Sequence, residues 1–371
     1  MRVLVLGLRG VVGVEGGIET HARHLYPLLA RMGCEVAVLQ RSRYFPAGER
    51  RRRWHGVGLR YLWSPTRPGL ETAVHSLLGV LYAAVARPDI LHLHAVGPAL
   101  LAPLARLFGV RVVFTHHAED YNREKWGTLA RWVLRTGERF GMRFANESIV
   151  VSSVIKRRVE RKYRVQTHFV PNGAPRALPA GSTGALERFQ LQAGRYVLCV
   201  ARLDRTKRQL DLIEAFERAR LDGWKLALVG AVDAKDTYAA AVAERAAANP
   251  TVVLTGFQKG KALRELYSHC GVFVRPSALE GHPIALLEAL SYGVPVLASA
   301  IPENTVLPMP KERFFPVGDA ATLARRLEEI AERGQTPRER SDLQRLVRER
   351  YSWRRAAQQT YDVYERVLRG E

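Results

Sequence analysis

The chain's 371 residues, 47% hydrophobic and 25% charged, are too many for one ordinary core and comfortable for two. A net charge of +21 suits an anionic membrane surface or plain solvation. No zinc-finger spacing, RNA-recognition signature or aromatic-interleaved basic strand accompanies it, so nucleic acid is not the expected partner.

Arg2–Gly7 reads as a buried strand running into a loop with glycines at 7, 10, 13, 16 and 17, followed by a helix over 18–32. The apolar start is too short for a signal peptide and no cleavage site follows it. The glycine spacing is not G-x-G-x-x-G. The next strand, Glu35–Leu39, ends in Gln40-Arg41 where a dinucleotide site wants an acid, so no nicotinamide or flavin cofactor is expected. A β segment (54–63), a helix (70–86) and the strand leading through Ile90-Leu91-His92-Leu93-His94 follow. His92 and His94 alternate onto one face at a metal-compatible spacing, but the sequence offers no evident third ligand, and a structural or pocket-lining role is expected.

A second apolar strand, Val110–Phe114, enters Thr115-His116-His117-Ala118-Glu119-Asp120-Tyr121-Asn122-Arg123-Glu124-Lys125-Trp126-Gly127. Along the next helix Arg131, Arg135, Arg139 and Arg143 recur every four residues, a basic stripe suited either to solvent or to a membrane surface. A strand (147–152) and a helix (154–163) precede Pro171-Asn172-Gly173. Residues 174–194, rich in Pro, Gly, Ala and Ser, read as a linker. The strand Tyr196–Ala201 then opens a second half, followed by Arg202-Leu203-Asp204-Arg205-Thr206-Lys207 and a helix from Gln209. Two strand-to-glycine turns end at Gly230 and Gly256. Loops after strands form the ligand crevice of open α/β sheets, which makes Gly230, Gly256 and Phe257 candidate contacts for a nucleotide base.

The most informative stretch is Val272–Pro302. A strand end, a loop tipped by Glu280-Gly281, and a helix with Pro283 at its first position place helical N–H groups beside two carboxylates, Glu280 and Glu288. N–H groups at a helix start suit a phosphate, and the carboxylates suit hydroxyls on either side of it. Helices over 319–333 and 338–350 and a final helix to Leu368 complete the chain. No apolar run reaches the ~18 residues of a membrane span. The three cysteines, Cys34, Cys199 and Cys270, form no CxxC pair, so neither a zinc site nor a disulfide framework is expected.

Glu280-x7-Glu288 with the following Ala289-Leu290-Ser291-x-Gly293-x-Pro295-Val296 resembles the E-x7-E signature of family 4 glycosyltransferases. Gly16-Gly17-Ile18-Glu19-Thr20 resembles their N-terminal glycine loop. Arg202-Leu203-x-x-x-Lys207 resembles their G-R-L-x-x-x-K, with Ala201 for the glycine. Residues 117–127 and Ile301-Pro302-Glu303-Asn304 are similar to a rhamnosyltransferase-type branch, with Ala118, Tyr121 and Ala300 departing from it. The resemblance implies an α/β chain of the GT-B fold: two Rossmann-like parallel-sheet domains facing a cleft, with a C-terminal helix crossing back to the first. On this reading 1–173 with 353–371 form an acceptor-side domain, and 195–352 a nucleotide-sugar-binding domain. It also implies site roles. Glu280 and His117 serve the donor sugar and Glu288 the ribose. Arg202 and Lys207 hold the diphosphate, while Gly16, Gly17, Gly281, His282, Pro283 and Ile284 line the donor phosphate. Glu19, Asp120, Arg123 and Lys125 lie toward the acceptor. His116 stands where the family has an apolar residue and receives no role.

The activity implied is retaining transfer of a hexose or deoxyhexose, rhamnose-type favoured, from a nucleoside-diphosphate sugar to a glycan or lipid-linked glycan. It needs no metal, cofactor or protein nucleophile, and it would take place in the cytoplasm or on the inner face of the membrane. The competing expectation is a non-catalytic relative of the fold or a basic nucleic-acid- or membrane-binding protein.

Overall fold

Strands rich in Val, Leu and Ile, most of them followed by a helix, are what a parallel sheet covered on both faces requires. In the computed structural model, which describes residues 1–67, 69–124, 126–233 and 235–371, they build two units, Met1–Gly173 with Ser352–Glu371, and Ala174–Tyr351.

The first unit holds β1 (Arg2–Leu6), β2 (Glu35–Arg41), β3 (Arg53–Trp54), β4 (Val57–Leu62), β5 (Ile90–His94), β6 (Val112–His116), β7 (Glu147–Val150) and β8 (His168–Phe169). They pair in the order β3-β4-β2-β1-β5-β6-β7-β8. The β3–β4 pair is antiparallel and the others are parallel. The order runs outward from β1 in both directions, so the loops after β1 and β5 part there and leave a crevice. The first helix is Gly17–Arg31, one residue earlier than expected at each end.

The last helix, Trp353–Arg369, belongs to this unit. Ala356, Thr360, Val363, Tyr364 and Val367 recur at helical spacing and are all buried, which is the apolar stripe a docked helix needs. Its Trp353 ring stacks on His24, centroids 5.2 Å apart.

The second unit holds β9 (Tyr196–Val200), β10 (Lys225–Val229), β11 (Val252–Gly256), β12 (Val272–Arg275), β13 (Val296–Ser299) and β14 (Phe314–Phe315). They pair in the order β11-β10-β9-β12-β13-β14, all parallel. Alternation along β9 divides its side chains between two cores. Tyr196 and Leu198 enter one, while Val197 and Cys199 enter the other, as a period of two dictates. The order again reverses, at β9, so the loops after β9 and β12 flank the crevice.

Two expectations change. Residues 174–194 are part of the second unit. They contain a short helix, Gly184–Arg188, and Ala185, Leu186 and Leu191 are buried in its core. The Glu265 carboxylate accepts from Ser182 Oγ and the Ala185 N–H, both at 2.6 Å. A composition rich in turn formers concealed these few apolar anchors. Pro283 also lies one position outside its helix: it is the cap residue, and Ile284–Ser291 are helical.

Candidate active site

In the second unit the crevice loops are tied together, with the Ala278 N–H donating to Thr206 O at 2.8 Å. This brings Lys207, from the loop after β9, to Glu280, from the loop after β12. Lys207 Nζ lies 2.9 Å from Glu280 Oε1 and donates to Leu279 O at 3.1 Å.

The other partner is Arg275, which sequence reasoning passed over. Its Nε and Nη2 both reach Oε1 at 2.7 Å, and Nη1 donates to Val200 O at the end of β9 at 2.8 Å. Burial opposes ionisation of Glu280, but Arg275 and Lys207 outweigh it and hold the carboxyl down to about 2. Arg275 was legible in principle. An arginine closing the run Val272-Phe273-Val274 must be buried with that strand, and a buried charge needs a partner.

The cluster carries two cations for one carboxylate. Arg202, from the same loop as Lys207, has a side chain that is 44% exposed and lies 3.4 Å from Asp204 Oδ2. Asp204 itself caps the turn Arg205–Lys207 by accepting from the Thr206 N–H at 2.9 Å. The cap residue of the helix Ile284–Ser291, Pro283, gives it no side-chain hydrogen bond. Its first N–H groups and these cations together suit a polyanion. Glu288 lies within that helix, half-buried, one turn after Pro283.

Gly281 and Pro283 are buried and His282 is half-buried, its ring centroid 5.6 Å from that of Tyr351. Gly230 is demanded by the fold itself, because a Cβ there would sit 2.1 Å from Ala201 O. It donates to Gly256 O at 3.0 Å. Gly256 has φ +68°, and Phe257 next to it is exposed.

The first unit has its own polar centre. Gly16 sits at φ +152° beside the Glu19 carboxylate, a conformation that favours glycine. A Cβ on Gly17 meets nothing within 4 Å. Glu19, expected on the acceptor side, is buried. It accepts from Arg9 Nε at 3.1 Å, while Arg9 Nη2 also donates to Glu15 O, so the pair shapes the glycine loop.

His117 is buried beyond the end of β6, with Nε2 2.7 Å from His94 Nδ1 and its ring edge-on to His21 at 4.8 Å. His21 Nδ1 lies 2.7 Å from Asn172 Oδ1. His94 Nε2 bonds the Tyr26 hydroxyl. His92 bonds Tyr364 Oη through Nδ1 at 2.6 Å and Thr115 Oγ1 through Nε2 at 2.7 Å. Burial disfavours the charged imidazoles. It brings His21 down to about 4 and His92 to about 3, and holds His94 and His117 well below the usual range, with neighbouring histidines adding to the effect. All four are neutral at physiological pH.

His116 is one residue from His117 but faces elsewhere, as strand alternation requires. Its Nε2 is 2.9 Å from Glu138 Oε1. Glu138, fully buried, also accepts from Tyr121 Oη at 3.0 Å, Lys162 Nζ at 2.7 Å and Tyr163 Oη at 2.5 Å. Burial opposes its ionisation, yet these partners hold it down to about 2. Asp120 and Arg123 pair with one another, Arg123 Nε donating to Asp120 Oδ1 at 2.9 Å. Lys125 lies outside the described residues.

Two family models match. "Glycosyltransferase Family 4" matches residues 15–177 and "Glycosyl transferases group 1" matches 187–347. An alpha-maltose-1-phosphate synthase of Mycobacterium tuberculosis is 27% identical over 99% of this chain and 100% of its own length. The O-antigen chain mannosyltransferase B of Escherichia coli is 27% identical over 45% of this chain and 41% of its own. Among solved structures, a sucrose-phosphate synthase from Thermosynechococcus elongatus superposes with TM-score 0.84 at 21% identity, covering 100% of both chains. Anabaena HepE in complex with UDP-glucose superposes with TM-score 0.79 at 17% identity, over 98% of this chain and 99% of its own. The two matched models and the GT-B fold together support a glycosyltransferase of the family 4 type.

Proposed function

We propose that the chain is a retaining hexosyltransferase. It moves a hexose or deoxyhexose from a nucleoside diphosphate to a hydroxyl of a glycan or lipid-linked glycan. The observation that carries this reading is the Lys207–Glu280–Arg275 cluster at the reversal point of the second sheet, beside the start of the helix Ile284–Ser291 and the half-exposed Arg202.

On this reading the donor's diphosphate rests against Arg202, Lys207 and the N–H groups at Ile284. Glu280 takes donor-sugar hydroxyls through Oε2, the oxygen outside its cationic cluster. Glu288 takes the ribose. The bond from the anomeric carbon to the phosphate oxygen breaks, and the acceptor oxygen bonds that carbon from the same face. The departing phosphate takes the acceptor proton. Charge grows on the diphosphate as the bond breaks, so fixed cations stabilise the transition state more than the ground state.

The similarity of residues 117–127 and 301–304 to the rhamnosyltransferase-type branch favours a deoxyhexose. The relatives named for maltose-1-phosphate and mannose chemistry favour a hexose. A thermal-shift panel of UDP-, GDP- and dTDP-sugars, dTDP-rhamnose included, separates them. A donor at 100 times its Kd stabilises by about 2.7 kcal/mol. Arg202→Ala should remove that response and lower the rate by roughly 10²–10³. An anomer-resolved NMR spectrum showing an inverted product would refute the mechanism.

A lipid-linked acceptor is supported by the helix Thr128–Phe144, where exposed Leu129 and Trp132 accompany exposed Arg135, Arg139 and Arg143. Apolar anchors among cations suit an anionic bilayer surface. No helix among the described residues is long and apolar enough to cross a membrane.

A further inference from the structure

We propose that His21, His94 and His117 form a three-histidine site for a divalent first-row transition metal, Zn²⁺ foremost. The three come from separate elements of the first unit: the helix Gly17–Arg31, the end of β5, and the loop just beyond β6. One ligand nitrogen from each lies within 4.8 Å of the others. His92, which shares a strand with His94, is not in the set. Its two ring nitrogens are taken by Tyr364 and Thr115.

The orientation of the rings follows from their outer partners. The Asn172 carboxamide oxygen can only accept, so the His21 Nδ1 facing it at 2.7 Å carries the proton. The lone pair is then on His21 Nε2, and that atom is buried with no hydrogen-bond partner among the described residues. A buried acceptor left unmatched is unfavourable and calls for an explanation. His94 turns Nε2 to the Tyr26 hydroxyl, which leaves Nδ1 pointing at His117 Nε2 across 2.7 Å. One imidazole nitrogen fixed by an amide oxygen or a phenol while the other points inward is how metal-bound histidines are oriented.

At 2.7 Å His94 Nδ1 and His117 Nε2 share one proton in the metal-free chain, and a metal ion takes that proton's place, so its binding weakens as pH falls. Zn–N bonds of about 2.0–2.1 Å in a tetrahedron separate ligand nitrogens by about 3.3 Å. That spacing lies between the present 2.7 Å contact and the 4.8 Å limit of the group. An all-nitrogen set disfavours Ca²⁺ and Mg²⁺, which want oxygen. Three protein ligands leave a fourth position open for water or a hydroxyl. The argument rests on the first unit's geometry and stands whether or not the transferase reading does.

The test uses the full chain without a polyhistidine tag, stripped with chelator and titrated with Co²⁺. The expected result is one equivalent bound, with the intense visible d–d bands of a tetrahedral site, displaced by Zn²⁺. Zn²⁺ should also raise the unfolding temperature. His21→Ala and His117→Ala should abolish the bands. Asn172→Ala, which keeps all three ligands, should weaken binding by about 10- to 100-fold. His24→Ala, outside the set, should leave binding intact. Circular dichroism melts establish that each variant is folded. The proposal is overturned if the stripped wild-type chain gives no tetrahedral bands and no Zn²⁺-dependent thermal shift. It is equally overturned if the bands survive in folded His21→Ala/His117→Ala.

Discussion

Glu280 shows how one residue couples stability to the site. Its carboxyl is held at about 2 against an ordinary 4.5, so the folded state favours the ionised form. That contribution is complete above about pH 4.5 and is lost as pH falls toward 2. Acid unfolding of the second unit should begin in that window, and Glu280→Gln should flatten the pH dependence there, as read by intrinsic fluorescence. Arg275→Met is the sharper test. It leaves a buried carboxylate with Lys207 as its remaining cation, and loss of one partner of a buried pair typically destabilises by about 3–5 kcal/mol. Urea denaturation should report a shift of that order. A change under 1 kcal/mol would mean that the cluster does not hold the crevice loops together.

At the scale of elements, a conflict between propensity and packing decides a prediction. Gly137 lies inside the helix Thr128–Phe144, where alanine is intrinsically better by about 0.8–1 kcal/mol. A Cβ there would meet Val96 O at 2.0 Å. A backbone oxygen cannot swing aside as a side chain can, and overpacking costs about 1–3 kcal/mol. Gly137→Ala should therefore lower the melting temperature; a rise would show that the helix can move off Val96 at little cost. The same distinction between local and tertiary causes separates what the sequence reveals from what it hides. Apolar runs such as Tyr196–Val200, and the helix starts after them, were legible because their signal is periodic and local. The proximity of Lys207 to Glu280 was legible only as two loops after strands. Arg275 was overlooked because it closes an apolar run. The two partners of His94 in the histidine group were invisible because His21 and His117 lie 73 and 23 positions away from it in the chain, and only the sheet order and the packing of the first helix unite them. Residues 174–194 misled because composition outweighed the spacing of Leu186 and Leu191.

At the scale of the whole molecule the two units differ in how the chain makes them. Ala174–Tyr351 is continuous, whereas the first unit joins Met1–Gly173 to Ser352–Glu371. The returning helix supplies Trp353, Val363, Tyr364 and Val367, all buried, and Tyr364 holds His92 at 2.6 Å. Burying side chains of this size is worth on the order of 1.5–3 kcal/mol each. Four of them approach the roughly 5–15 kcal/mol by which a domain is stable at all. Removing 352–371 also takes away the 2.6 Å Tyr364 contact of His92 Nδ1 and leaves it the longer 3.2 Å one to Tyr26 Oη. A chain ending at Tyr351 should thus keep a folded second unit while the first loses cooperative structure. Limited proteolysis followed by mass spectrometry should find cuts spread through 1–173 and a protected fragment near 174–351. Equal protection of both segments would mean that the closing helix is an accessory to the first unit's core.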